Sequence, residues 1–210
     1  MKYYNLLRDI ITNGTYQSNK KGNIVYLTNQ VLSHNVDELN ELFNNHPIAK
    51  KKLRAELELY MSGETQVEKY KEQGIEWWNY CSPELINSYP TYFKKLPALI
   101  EKINKEKRSS KNYVLFIGDT DAPTNQLPCL SLIQFQIENN KLDMTVYQRS
   151  ADSNLGLPSD IFQMNCIADL IDIELNSITF FIGNAHIYEN NIVATNQLLA
   201  GEKVTYSLNV

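Results

Sequence analysis

The sequence predicts an α+β fold around a mixed β-sheet packed by helices, and three observations carry that prediction. Apolar residues recur at helical spacing in Tyr4, Leu6, Leu7, Ile10 and Ile11, and again along Asp160–Leu175. Segments with β-branched and aromatic content at Tyr113–Ile117, Cys129–Glu138, Leu142–Gln148 and Ser177–Ile187 read as strands. Helical and extended segments are interspersed without an internal repeat or low-complexity tract, so residues 1–210 are read as one domain.

Taken in order, a first helix over about residues 2–12 stops at Asn13-Gly14, a good C-terminal signal. A polar loop at Ser18–Gly22 precedes a strand at Asn23–Leu32. The charged, leucine-rich stretch that follows places a second helix at Ile48–Met61, and Gln66–Gln73 reads as a short exposed helix. Trp77–Pro97 is aromatic and broken by Pro83, Pro90 and Pro97, after which Ala98–Lys107 resumes a helix. Asn139-Asn140 joins two strands as a hairpin. Asp160–Leu175, the most apolar helical segment, is the expected central helix, and Asn190–Ala200 forms the last.

The 210 residues suffice for one sizeable core. With 24 acidic residues against 20 basic ones and no basic stripe, sequence-independent binding of nucleic acid has little electrostatic support. A free nucleotide needs only a few placed cations. The three cysteines, Cys81, Cys129 and Cys166, show no CxxC spacing, which argues against a structural zinc site and a disulfide framework and for a reducing cytoplasm. The N-terminus has no signal-peptide pattern, and no window approaches the roughly 18 apolar residues of a membrane span.

Cys129 is the first candidate for chemistry, although most free cysteines are small buried hydrophobes. A nucleophilic cysteine needs a cation nearby to favour its thiolate, and an antiparallel partner strand could return Arg149 beside it. Arg149-Ser150 is equally a surface charge beside a turn serine.

Pro128-Cys129, Gln148-Arg149-Ser150, Asp152, Leu155-Gly156-Leu157-Pro158 and His186-Ile187-Tyr188 fall in the order and spacing of the thymidylate synthase superfamily, which the chain resembles. Glu56-Leu57-Glu58-Leu59-Tyr60 with Gly63, and the aromatic run at Trp77–Tyr80, look like that family's folate-side helix and following loop. The resemblance implies a thymidylate synthase-like fold, a homodimer with phosphate contacts across its interface, and 5,10-methylenetetrahydrofolate as one-carbon donor to a pyrimidine nucleoside monophosphate. Residue by residue, it implies that Cys129 attacks C6 of the base and that Glu56 relays protons. Arg149 and Ser150 would hold the phosphate, Gln148 would sit by the nucleotide, and His186 and Tyr188 would bond the sugar. Asp152, Gly156, Trp77 and Tyr80 would face the folate. By pattern alone, Glu56 is a solvent-facing helix charge, Asp152 a local turn acceptor and His186-Ile187-Tyr188 an ordinary strand edge.

Asp160 stands where the thymidylate-forming enzymes carry an asparagine. Uracil offers an N3–H donor and an O4 acceptor, which suit an amide; cytosine inverts both, which suits a carboxyl group able to accept from N4 and, when protonated, donate to N3. Asp160 therefore reads as cytosine-selecting, as in the CMP and dCMP 5-hydroxymethylases, and as an N-cap of the helix it opens. Leu130 and Ser159 replace a histidine and an aromatic residue. The chain ends at Val210 without the family's long closing tail, so water rather than hydride is expected at the exocyclic methylene. Lys111 and Asn112 fall near a partner-subunit arginine pair, and Lys20 or Lys21 near another phosphate arginine. A uridylate hydroxymethylase or methylase, and a degenerate nucleotide-binding member, are the alternatives.

Overall fold

The computed structural model describes residues 2–19, 22–122 and 127–207. Eight α-helices among these residues pack on a seven-stranded mixed sheet. The strands are β1 (Thr15–Asn19), β2 (Gly22–Asn35), β3 (Val114–Phe116), β4 (Leu130–Glu138), β5 (Lys141–Gln148), β6 (Ala151–Asp152) and β7 (Leu175–Tyr188). Their order is β1-β2-β7-β5-β4-β3, with β6 beside β7. β7 runs parallel to β5 and β6, and the remaining pairs are antiparallel.

Strand alternation gives this sheet two different faces. One register row runs Leu32, Phe180, Val146, Ile133, Leu115, and every member is buried beneath helices. The next row, on the opposite face, runs Val31, Phe181, Tyr147, Leu132, Phe116. There Val31 is 60% exposed, Phe181 42%, Tyr147 46% and Phe116 70%. A one-residue slip of any strand would exchange the two sets, so the buried row fixes the register.

The helices are α1 (Lys2–Asn13), α2 (Val36–Asn45), α3 (Lys50–Ser62), α4 (Val67–Glu72), α5 (Tyr89–Phe93), α6 (Leu96–Glu106), α7 (Gly156–Ala168) and α8 (Ile192–Leu199). α2 opens with a reciprocal capping box, in which the Asn35 side chain accepts from the Glu38 amide and Glu38 accepts from the Asn35 amide. Asn139 and Asn140 both have positive φ (51° and 60°), the backbone that a tight two-residue hairpin between β4 and β5 requires.

Four expectations need correction. The polar stretch at Ser18–Gly22 is not a plain loop: β1 and β2 form a hairpin there, a pairing that its polar residues do not reveal. The 66–73 helix is anchored by buried Val67 and Tyr70 rather than exposed all round. α5, inside the aromatic stretch, had no periodic signal. The central helix begins at Gly156 and ends at Ala168, instead of running from Asp160 to Leu175. Pro158 is its third residue, where an amide would have no intrahelical acceptor, so the Gly-Leu-Pro run starts the helix. At its far end the Asp172 amide is taken by Asn104 Oδ1 at 2.8 Å, and the apolar residues continue outside the helix. No helix among the described residues is long and apolar enough to cross a membrane.

Candidate active site

Cys129 immediately precedes β4, and a bulge between Leu130 and Leu132 interrupts the pairing with β5 just beyond it. An extra residue there turns the strand end, a device common beside reactive side chains. The partner strand does return Arg149: its amide donates to the Cys129 carbonyl at 2.8 Å. Its guanidinium donates from Nε to the Pro128 carbonyl at 3.0 Å and from Nη2 to the Leu127 carbonyl at 2.7 Å. Arg149 thus ties down the backbone leading into Cys129.

Two joined cavities meet at Cys129 and share Trp78, Tyr80, Tyr89, Ser150 and Asp152 in their walls. The first, of about 440 Å³, is bordered by Glu56, Trp77, Gly156, Asp160 and Gln163. The second, of about 390 Å³, is bordered by Arg149, His186, Tyr188, Asn87 and Ser88. Among the described residues Arg149 is the one lysine or arginine in either wall.

In the first cavity Asp160 lies one turn inside α7, so it is not the N-cap; the residue before the helix is Leu155. Asp160 Oδ2 accepts from Gln148 Nε2 at 2.5 Å. Burial pushes its carboxyl up to about 7, against the Gln148 hydrogen bond and with the charges of Glu56 and Asp152 adding to the rise. Gln148 is fully buried and lies behind Asp160 rather than in the cavity wall, with its Oε1 unpartnered.

Glu56 is not the solvent-facing charge that helix pattern alone suggests, being only 3% exposed. Both indoles donate to its Oε1 at 2.6 Å, from Trp77 and from Trp78, and Gln163 Nε2 donates to its Oε2 at 2.8 Å. Burial raises its proton affinity, while Trp77, Tyr60, Trp78 and Gln163 each oppose the rise. Asp152 accepts from the Asn154 amide at 3.0 Å, as a turn aspartate does, and also faces both cavities. Burial lifts its carboxyl to about 6. Gly156 opens the wall beside it: a Cβ there would meet nothing nearer than Asp152 Cβ at 3.6 Å.

In the second cavity His186 Nδ1 lies 3.5 Å from Ser150 Oγ and 3.1 Å from Asn184 Oδ1. Burial lowers His186 to about 4 and keeps it neutral. Tyr188, two residues on, meets the His186 ring edge to face at 5.2 Å. Tyr80 is 53% exposed at the junction of the cavities.

Lys111 does not join this constellation within the chain: it is exposed beyond α6, and its carbonyl accepts from Gln134 Nε2 at 3.2 Å. Lys20 lies outside the described residues. The sequence reading missed Tyr89 and Gln163. The Tyr89 hydroxyl accepts from the Leu130 amide at 3.5 Å, and its proton affinity is raised by burial, then by Asp160 and Cys129. Gln163 sits three residues after Asp160, on the same helix face, which is the one signal that could have found it.

Two cavities that meet at one thiol therefore bring together a cation held against the preceding backbone on one side and, on the other, a carboxyl group able to carry a proton near neutrality and a buried second carboxyl held by indoles. The family model described as thymidylate synthase matches residues 1–208.

Proposed function

The chain belongs to the thymidylate synthase family, and from that premise we propose that it hydroxymethylates C5 of a cytidine monophosphate nucleotide, CMP or dCMP. The family's chemistry is folate-dependent one-carbon transfer to a pyrimidine nucleotide, and the protein is a one-carbon transferase of that kind. The observation that carries the choice of cytosine is Asp160: a carboxyl group in the cavity wall, inside the helix rather than capping it, with its proton affinity lifted to about 7. With Oδ2 held by Gln148, the protonated group can donate to cytosine N3 while accepting from N4. A mismatched base edge costs roughly 1–3 kcal/mol for each buried group left unpaired.

The chemistry then divides among the chain's own residues. Cys129 would form a bond to C6, which places the electron pair on C5; C5 could then take up the one-carbon unit that the folate would supply, and loss of the C5 proton with departure of the carrier amine would leave an exocyclic methylene. Glu56 is positioned to relay protons on the base side. Water adds to the exocyclic methylene, and departure of Cys129 restores the base and leaves CH2OH. Ser159, small and polar with its Oγ donating to the Leu155 carbonyl at 2.6 Å, leaves room for that water where the family has an aromatic ring.

Methylenetetrahydrofolate, when bound, supplies the one-carbon unit. The residues present fit it: the Asp152 carboxyl can accept from a pterin N–H, Gly156 leaves the wall open beside it, and Trp77 and Tyr80 offer flat apolar surface. Arg149 and Ser150 would take the phosphate, and His186 and Tyr188 the sugar hydroxyls. The exposed row Val31, Phe181, Tyr147, Leu132, Phe116 supports a homodimer across the open sheet face, with Lys111 reaching the partner's phosphate end. Cysteines that form no disulfide among the described residues fit a cytoplasmic location.

Incubation with CMP, dCMP or dUMP plus methylenetetrahydrofolate, with mass detection, tests the proposal. Gain of one CH2O unit on a cytidine nucleotide is expected; product from dUMP alone sinks it. That Arg149 is the one cation lining the second cavity among the described residues favours one second reading, a nucleotide-binding protein without turnover. Release of tritium from C5 of labelled nucleotide, absent in Cys129→Ala, would eliminate it.

A further inference from the structure

Glu56 is held by more side-chain donors than any other carboxylate among the described residues. Trp77 and Trp78 converge on Oε1, both at 2.6 Å, and they are the only tryptophans in the sequence. Oε2 receives Gln163 Nε2 at 2.8 Å, and the same amide donates to the Leu53 carbonyl at 3.1 Å. Gln163 is therefore fixed to the backbone of α3 and to a side chain of α3 at once. It is 4% exposed and belongs to α7, the helix that carries Asp160 three residues earlier.

We propose that Gln163 is a positioning residue: it clamps Glu56 Oε2 from α7, so that the carboxylate near the reacting base and the carboxyl that reads the base are set by one rigid helix. The consequence for turnover rests on the reading of Glu56 as a proton relay; the clamp itself does not. The two indoles fix Oε1 alone, and the Tyr60 hydroxyl comes from the same helix as Glu56, so neither ties the carboxylate to α7. The third N–H, on the other oxygen, does so, and each donor favours the charged form against the burial that opposes it. The other titratable groups that face Glu56 are Tyr60 on α3, Tyr70 on α4, Tyr89 on α5 and Asp160 on α7. The Asp160 carboxylate opposes ionisation of Glu56, which leaves the three N–H donors and the Tyr60 hydroxyl to hold the charge.

The protein carries its own probe. Because both indole N–H groups bond to Glu56, the two indole signals in a nitrogen–proton correlation spectrum follow its protonation directly. In the wild-type chain both are expected to titrate with one shared midpoint. Gln163→Met, close in length and without the N–H, should raise that midpoint by about one pH unit, a tenfold gain in proton affinity. Gln163→Glu, which sets a second carboxylate beside the first, should raise it further. C5 tritium release should fall in both variants, with its acid limb moved by the same amount. Midpoints unmoved in both variants would overturn the clamp. If Gln163→Met fails to fold, Gln163→Glu decides the matter. If the wild-type chain releases no tritium from any nucleotide, the reading of the reaction fails while the indole titration still decides the role of Gln163.

Discussion

The two ends of the cavity are built on opposite plans. At the base end, a buried Glu56 on α3 and a partly buried Asp160 on α7 are held from inside one chain: Glu56 by two indoles and an amide, Asp160 by Gln148. At the proposed phosphate end, the one cation that lines the cavity among the described residues donates to the Leu127 and Pro128 carbonyls, and the neighbouring His186 is neutral. A planar base edge can be matched by groups fixed in a core, since donors and acceptors there need only good geometry. A dianionic phosphate needs several charges, and charges at an open rim can come from a second subunit. On the proposed reading the base end would decide what is bound, and the phosphate end would be completed by assembly.

The largest effect falls on the residue shared by both ends. Cys129→Ala should lower C5 tritium release by roughly 10⁴-fold or more, the scale of losing a covalent nucleophile, while nucleotide Kd stays within a few-fold. Persistence of release would break the comparison at its centre. Next comes the base end: Asp160→Asn should move the ratio of kcat/KM for the cytidine over the uridine nucleotide by roughly 10–100-fold towards uracil. Wild-type turnover of the cytidine nucleotide should also fall as pH rises through about 7, where Asp160 loses the proton that N3 needs. Unchanged selectivity in Asp160→Asn would remove the main reason for reading this as a cytidylate enzyme.

The phosphate end is sharpened by Phe181→Asp on the open sheet face, where Phe181 is 42% exposed. Sedimentation should show a folded monomer, and nucleotide KM should rise about tenfold, the loss of one charge-assisted contact. A monomer with unchanged KM would mean that the phosphate end is complete without a partner.

The smallest expected effect is on stability, and the two ends have opposite signs. Asp160 is raised from 3.8 to about 7, so the folded chain keeps a proton that the unfolded chain loses, and this group's contribution falls as pH rises across that window. His186 is lowered from 6.5 to about 4, so its contribution falls as pH drops through that range. Melting temperatures measured from pH 4 to 7 should therefore lose part of their high-pH decline in Asp160→Asn and part of their low-pH decline in His186→Asn. Equal profiles in both variants would erase the distinction.

How much of this was legible beforehand differed by kind of residue. The hairpin at Asn139-Asn140 was readable because asparagine tolerates positive φ, a purely local matter. The return of Arg149 to Cys129 followed from that hairpin and from strand pairing. The start of α7 was misplaced because Pro158 suggests a turn, although the first helical turn accommodates it. Glu56 and Gln163 were opaque for a different reason. A glutamate in a helical pattern is buried or exposed according to what folds over it, and here Trp77 and Trp78 from a segment without periodicity do so.

The sequence by itself determined the α+β class, the register-setting alternation of the strands and the order of motifs that marks the family, since these depend on local sterics and on spacing along the chain. Only the tertiary structure decided that Asp160 lies inside α7 with its proton retained near neutrality, that Glu56 is bonded on both oxygens, and that among the described residues one cation lines the second cavity. Desolvation and hydrogen-bond partnership depend on residues distant in sequence, and they fix proton affinity; no reading of neighbours along the chain contains them.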